Sequence, residues 1–386
     1  MWLDLGRSDW KCVCITADGW KVLDRCEAKI IRGKGAKELP IPMPGGDIRD
    51  LRNFVNVRDE PAFALFVGQA VGQYNVFGNY TTTFFCGPAG SAKTSAMRVM
   101  RMLVDPHEVM ERRFSIVRDL MHGLANHHVL ALENVSQIKP DLSDTICALN
   151  TGTGYAERKY YSQNEEFQAR RHMPVHVNGI PGRLAELEDL IDRAVTFAFE
   201  FISDENRKSA DGFKRAFEAA WPKLLGCMLD GVVGALRTRQ DFQDDNDAVR
   251  KELLGDYNPR FVDHVVWGEA ACRKLGFRPG VFSDAYRENQ GFAVQWFAEH
   301  DPICIGISEM MSTREEWKGK PEELYHIINP LALRHEERFE GKFPATSAVM
   351  GKELPRSIGA LHKVYGIALR LFRLDDGNKN DLRSGK

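Results

Sequence analysis

The apolar positions of this chain change period along its length. Over Lys11–Thr16 they alternate, with Val13 and Ile15 on one side and Cys12 and Cys14 on the other. Ala17-Asp18-Gly19 then supplies a turn, and Trp20–Leu23 returns. This pattern predicts a hairpin within a small β element over residues 1–46. Pro40, Pro42, Pro44, Gly45 and Gly46 punctuate a linker, and Pro61–Gln73 reads as a helix. Thr81–Cys86 is β-branched and aromatic, and Ser95–Val104 places Met97, Met100 and Val104 on one helical face before Asp105-Pro106 stops it. The short apolar runs His128–Glu133 and Pro174–Asn178 fit strands buried on both faces. Ala194–Ile202 alternates, with Val195, Phe197, Phe199 and Phe201 on one face, as an edge strand would. Strands separated by helical stretches predict an α/β core over residues 47–202, a parallel sheet with helices on both faces.

Residues 203–290 carry a helical pattern interrupted by the acidic stretch Asp241–Asp247, and they are expected to form a helical lid. Over residues 291–386, helical segments at Pro321–Asn329, Ser347–Leu354 and Pro355–Val364 lead through Gly366 to an alternating Ile367–Arg373 and a turn at Asp375–Asn378. Three helices and a hairpin give the outline of a winged helix.

Composition narrows the class. With 386 residues, 43% hydrophobic and 27% charged, the chain has room for about two or three domains with real cores. No apolar run approaches the roughly 18–20 residues of a membrane span, and Met1-Trp2-Leu3-Asp4 begins no signal peptide, so a cytoplasmic protein with no membrane partner is expected. The eight cysteines are scattered, with only Cys12 and Cys14 close together, and read as thiols in a reducing compartment rather than a zinc site. The net charge of −2 conceals a basic tail: Lys342–Lys386 holds nine Lys/Arg against four Asp/Glu, which suits an anionic partner.

The sharpest chemical signal is Thr81–Thr94, TTTFFCGPAGSAKT. A strand pattern runs into a Gly-rich turn that closes with Lys-Thr and opens a helix. That order suits a phosphate-binding loop, whose N–H groups and helix N-terminus converge on an anion. Gly87, Pro88, Ala89, Gly90, Ser91, Ala92, Lys93, Thr94 and Ser95 would form the cradle. Lys93 would reach the β- and γ-phosphates of ATP, and the Thr94 hydroxyl would hold Mg²⁺. Ala92 occupies the usual place of a second glycine, which a Cβ tolerates only with negative φ. The apolar run Val129–Leu132 ends in Glu133-Asn134, so Glu133 is a candidate metal-side carboxylate and Asn134 a candidate to orient water. Asn178, ending the next run, could bond both γ-phosphate and attacking water. Arg193, just before the edge strand, could serve a neighbouring subunit's γ-phosphate, although an ion pair with Asp189 at i,i+4 accounts for it too.

In the order Gly87-Pro-Ala-Gly-Ser-Ala-Lys-Thr94, Leu132-Glu-Asn134, Val177-Asn178 and Asp189-Leu-Ile-Asp-Arg193, the chain resembles AAA+ ATPases. More narrowly it resembles the superfamily 3-type helicase domains of phage and mobile-element primase–helicases. The resemblance implies Walker A at Lys93 and Thr94, Walker B at Glu133-Asn134, sensor 1 at Asn178, an arginine finger at Arg193 and a sensor 2 arginine at Arg260. It also implies a homo-oligomeric ring, a hexamer by analogy, acting on DNA with ATP and Mg²⁺ beside a primase or other replication protein. A DNA-gripping hairpin would fall at Gly152–Arg171, with Arg158, Lys159 and Tyr160. Arg356 and Lys363 on the inserted helix, with Lys379 and Arg383 on the wing, would meet duplex phosphates. An ATP-dependent switch that assembles on DNA without unwinding it, and an NTPase of a defence complex, are the alternatives.

Overall fold

The computed structural model describes residues 1–113, 117, 120, 124–135, 138, 140–158, 166–179, 188–203, 205, 207–244, 246–338, 343–374 and 377–384. It divides into two compact units. The first comprises Met1–Val135, Asp141–Ile180 and Arg193–Glu288, the second Ser136–Pro140, Pro181–Asp192 and Asn289–Lys386.

In the first unit, β1 (Trp2–Asp4), β2 (Cys12–Ile15) and β3 (Trp20–Leu23) form an antiparallel sheet, so the expected hairpin gains a third strand at Trp2. Helix α1 (Glu60–Gly72) starts where the Asp59 carboxylate accepts from Ala62 N at 2.9 Å, with Pro61 in its first turn. Every residue from Phe63 to Gly72 is buried, which makes α1 a core helix rather than an amphipathic one.

The central sheet contains β4 (Thr82–Cys86), β5 (Leu130–Val135), β8 (Val175–Gly179) and β9 (Ala194–Ala198), all parallel, in the order β5-β8-β4-β9. A single-residue parallel bridge between Arg112 and Leu132 extends it beyond β5. Helix α2 (Lys93–Met102) follows β4, and α3 (Pro140–Thr151) follows β5. Between α3 and β8, β6 (Thr153–Arg158) and β7 (Glu166–Arg171) pair antiparallel. The alternation expected over Ala194–Ile202 holds only in part. Val195, Phe197 and Phe199 are buried, but β9 ends at Ala198 and Phe201 is 60% exposed. Past Phe199 the chain leaves the sheet, so the period-2 rule no longer fixes its side chains.

Helices α5 (Ala210–Asp244), α6 (Asn246–Leu254) and α7 (Val262–Lys274) complete this unit; α4 (Glu188–Ile191) belongs to the second. The acidic stretch Asp241–Asp247 holds the end of α5 at Asp244 and the start of α6 at Asn246. Helix α5 corrects the expectation on apolar runs: by length and composition alone it is long and apolar enough to cross a membrane. Over half of that apolar window is buried, and Leu225, Met228, Leu229 and Val232 lie in the same core as α1 and β2. Phe282 fits this core through two glycines: a Cβ on Gly68 of α1 would lie 2.2 Å from its ring, and one on Gly268 of α7 2.3 Å.

Helix α8 (Val281–His300) carries the chain into the second unit, where α9 (Pro302–Met311), β10 (Glu316–Gly319), α10 (Pro321–Ala332), α11 (Ser347–Tyr365), β11 (Ile367–Leu374) and β12 (Gly377–Ser384) follow. Pro355 does not split α11 into the two helices expected. It removes one N–H from the helical ladder. Burial of Met350, Leu354, Ala360 and Leu361 on the same helix outweighs that loss. Gly366 ends α11 with φ 66°. The hairpin β11–β12 carries a third strand, β10, in the order β10-β12-β11. The second unit is thus a helical layer with a three-stranded antiparallel sheet. None of the eight cysteines forms a disulfide, and six of them are buried.

Candidate functional site

The central strand β4 is buried at every position, and its carboxyl end opens into the Gly-rich loop. Gly87 has φ 152° and Gly90 has φ 79°. A Cβ on Gly87 would lie 2.5 Å from Phe199 O and 2.9 Å from Ser91 Oγ, so the turn closes only around a glycine. Ala92 corrects an expectation. Its φ is +62°, left-handed, where a negative value was anticipated. A Cβ in this region costs about 1–2 kcal/mol. Ala92→Gly should therefore stabilise the protein by about 0.5–1 kcal/mol after the extra freedom of glycine in the unfolded chain is subtracted. Chemical denaturation of the two proteins measures this, and an equal or lower midpoint for the glycine variant would show that the loop is unstrained.

Ala92 precedes α2 and makes no side-chain cap, so the first N–H groups of the helix await an acceptor from outside it. Ser91 is fully buried, and its Oγ has no hydrogen-bond partner. The Lys93 ammonium lies back across the loop, 3.1 Å from Pro88 O. Burial pushes the Cys86 thiol up to about 12, against the opposing pull of the nearby Lys93 charge. Pro88, Ala89 and Gly90 are exposed, while Thr94 and Ser95 are half-buried in the first turn of α2.

The sheet brings the next two motifs to the same end. Asn178 stands opposite Phe85, one residue from the end of β4. Its amide Nδ2 donates to Thr94 Oγ1 at 2.6 Å, while Oδ1 is buried without a partner. On the other side of β8, Leu132 pairs with Val177 and Val135 with Gly179. Glu133 and Asn134 therefore stand as two residues against the single Asn178, a β-bulge. Asn134 has φ 53°, a conformation asparagine tolerates better than most residues, which gives a conformational reason for an amide there. The edge bridge holds this bulge from outside: Glu133 N donates to Arg112 O at 2.8 Å. Arg98 on α2 is held in its charged form chiefly by its hydrogen bonds to Glu111, and to a lesser extent by the field of Glu133.

Other candidates lie elsewhere. Arg193 O accepts from Thr82 N at 3.0 Å, which puts Arg193 at the amino edge of the sheet, one strand length (roughly 16 Å) from the loop. Arg260 is exposed just ahead of α7. Arg158 ends β6 and Arg383 and Lys379 lie on β12, whereas Lys159 and Tyr160 fall outside the described residues. Lys363 on α11 is exposed and lies 3.4 Å from Asp192 of the same unit, and both line a cavity of ≈ 540 Å³ with Gln290 and Val364. Arg356 lies mid-way along α11.

Two contacts of the loop escaped sequence reasoning. The Asn56 amide donates to Glu200 O at 3.0 Å and to Ser91 O at 3.5 Å, and Arg207 packs against Gly90. Neither residue stands in a motif; only the fold brings them there.

Taken together, a glycine cradle, an orphaned hydroxyl, an uncapped helix N-terminus and a lysine fit a phosphate chain, and the Thr94 hydroxyl with the Glu133 carboxylate fits a hard divalent cation. Solved structures of the NrS-1 C-terminal region are similar at a low level. The A form apo structure has TM-score 0.39 at 10% identity, covering 89% of this chain and 77% of that one. The apo structure of residues 305–718 has TM-score 0.40 at the same identity and coverage. No curated protein matches the chain. The model of the actinomycete integrative conjugative element replication protein family matches residues 47–249, a span that holds the loop, β5, β8 and the whole of α5. That is more than half of the sequence, and the chain belongs to this family of mobile-element replication proteins.

Proposed function

We propose that this protein is an ATP-hydrolysing, ring-forming DNA helicase or translocase of the AAA+ type that serves replication of its element. The observation that carries the reading is the hydrogen bond from Asn178 to Thr94, with the Glu133-Asn134 bulge alongside. It joins three separate sequence motifs at the carboxyl ends of adjacent strands, where α/β sheets bind ligands. When bound, Mg²⁺·ATP supplies a phosphoryl group for transfer to water. The loop N–H groups, Ser91 and Lys93 would hold the phosphates, and Thr94 and Glu133 the metal. Asn134 and Asn178 would orient the attacking water. Arg193, at the far edge of the sheet, would complete the site of a neighbouring subunit in a homo-oligomer, a hexamer by analogy. Arg260 would contact nucleotide from the helices that follow the sheet. DNA would run past the β6–β7 hairpin at Arg158, with Arg356, Lys363, Lys379 and Arg383 of the second unit meeting duplex phosphates.

One feature favours a second reading, an ATP-dependent switch that assembles on DNA without unwinding it. Asn134 cannot take a proton from water as an acid-derived base would. A forked duplex with ATP and Mg²⁺ separates the two. The motor should release the displaced strand and hydrolyse ATP faster when DNA is present. Binding without strand release would favour the switch, and the absence of ATP turnover with or without DNA would overturn the motor.

A further inference from the structure

The turn that joins β1 to β2 presents an aromatic ring to solvent at a conformational cost. Trp10 is 57% exposed and has φ 59°, in the left-handed region where a bulky side chain is an outlier. Neither local preference nor burial accounts for a tryptophan there, and strain of this kind gathers at functional surfaces. The turn is fixed: Trp10 N donates to Arg7 O at 3.2 Å, and Leu5 N to Lys11 O at 3.3 Å. A Cβ on Gly6 would lie 2.9 Å from Lys37 O, so the turn sits directly on the segment that carries Lys37. That segment is tied to the body of the unit, with Lys37 N donating to Pro106 O at 2.9 Å and Glu108 N to Gly35 O at 2.8 Å.

The ring is backed on one side by Arg32, whose Cζ lies 4.0 Å from the ring centre. This guanidinium is itself held on three sides. Its Nε and Nη2 bond the Asp4 carboxylate at 2.7 and 2.9 Å, and its Nη1 donates to Arg7 O at 2.7 Å. With one face under the guanidinium, the indole owes its exposure to its edge and its opposite face. A flat ring already immobilised loses little freedom when a partner stacks on it. The surrounding charge selects the partner. Arg7, Lys11 and Arg32 each face a carboxylate, on Asp9, Asp24 and Asp4 respectively. Beyond these pairs, Arg25, Lys29, Lys34 and Lys37 are exposed, and Glu27 is the one acid in residues 25–37. Screened attraction reaches about 8–10 Å, so these cations favour a polyanion along this surface without each touching it. A base offers its face to a side chain only when it is free of a duplex. From these contacts we propose that Trp10, backed by Arg32, is a stacking platform for a base of single-stranded DNA. The proposal rests on the reading that this protein acts on DNA. It adds a surface on the N-terminal β element, apart from the phosphate loop, the β6–β7 hairpin and the second unit.

The test measures binding of oligo(dT), and of a blunt duplex of the same length, to the full chain and to its Trp10→Asn and Trp10→Phe variants. Asparagine suits the left-handed turn, so the denaturation midpoint of Trp10→Asn should stay near that of the unmodified protein. Loss of one stacked base should weaken oligo(dT) by about tenfold in Trp10→Asn and leave the duplex unchanged. Trp10→Phe should recover part of the loss. The salt slope should be the same in all three proteins, because no phosphate contact is removed. Other surfaces of the chain are expected to hold the same strand, so contact is also read at the residue. An oligonucleotide carrying iododeoxyuridine, irradiated in the complex, should crosslink to Trp10. Undiminished oligo(dT) binding by Trp10→Asn, an equal loss on the duplex, or no crosslink at Trp10 would each overturn the platform. Ile31, also exposed and next to Arg32 in the chain, gives this patch the apolar and basic makeup of a membrane-surface segment. Vesicles of phosphatidylserine and phosphatidylcholine therefore run alongside, and vesicle binding lost in Trp10→Asn with oligo(dT) binding intact would assign the ring to lipid instead. If the unmodified chain binds neither single strand nor duplex, the DNA reading falls and the platform with it. If it binds oligo(dT) and Trp10→Asn binds equally well, the platform alone is misassigned.

Discussion

Lys93→Ala is expected to lower ATP turnover by about 100-fold or more while leaving the fold intact. The magnitude follows from removing one preorganised charge aimed at a transferring phosphoryl group, which typically costs about 10²–10³ in rate. The fold should survive because the Lys93 side chain makes only one described hydrogen bond, to Pro88 O of the loop itself. Its helix also keeps its buried face, Ala96, Met97, Val99 and Met100. The backbone N–H groups remain, so nucleotide affinity should fall less than turnover does. Steady-state hydrolysis, with denaturation midpoints as a control on folding, checks both halves. Turnover within a few-fold of the unmodified protein would remove the phosphate-loop assignment.

The site was legible in the sequence where motif and strand coincide. Lys93, Glu133 and Asn178 each sit just past, or within, a buried apolar run, and a parallel sheet aligns such ends without further instruction. What stayed hidden depends on backbone conformation or on distant partners. The left-handed φ of Ala92 could not be read from an alanine, which disfavours it. The bulge at Glu133-Asn134 arises from pairing with β8, more than 40 residues away in the chain, so no local pattern encodes it. Alternation carried past the end of β9 puts Phe201 on one face with Val195, Phe197 and Phe199, and its position beside Gly90 needs the bonds from Phe199 and Ile202 to the loop. Pro355 predicted a break in α11, yet the apolar residues on both of its sides share one core. Period and punctuation thus located elements well, and failed where tertiary contacts overruled a local preference.

Acidification should destabilise the first unit strongly, through two histidines buried in neutral form. His264 on α7 lies against Gln69 and Thr81: Gln69 Nε2 is 2.9 Å from His264 Nε2, and Thr81 Oγ1 donates to Gln69 Oε1 at 2.8 Å. With Nε2 accepting from the Gln69 amide, the proton rests on Nδ1, which is buried without a partner. Burial lowers this ring to about 4. His176 on β8 stands between Thr83 and Ala131 with both ring nitrogens unpartnered, and burial, aided by the charge of Arg101, lowers it to about 3. In the unfolded chain each ring takes a proton near 6.5. Between that value and the folded one, only the unfolded state is protonated. Stability is therefore full above about pH 7 and falls as pH drops toward 4. From pH 7 to pH 5 each ring should remove about 2 kcal/mol, together about 4 kcal/mol, a large part of the 5–15 kcal/mol that holds a typical domain. Unfolding free energies by denaturant at pH 7, 6 and 5 would show the decline. His176→Leu deletes one titrating ring and two unpartnered nitrogens, so its stability should fall by about 2 kcal/mol less between pH 7 and pH 5 and should match or exceed the unmodified protein at pH 5. Equal slopes for the two proteins would mean that the ring at 176 finds a proton partner in the folded state.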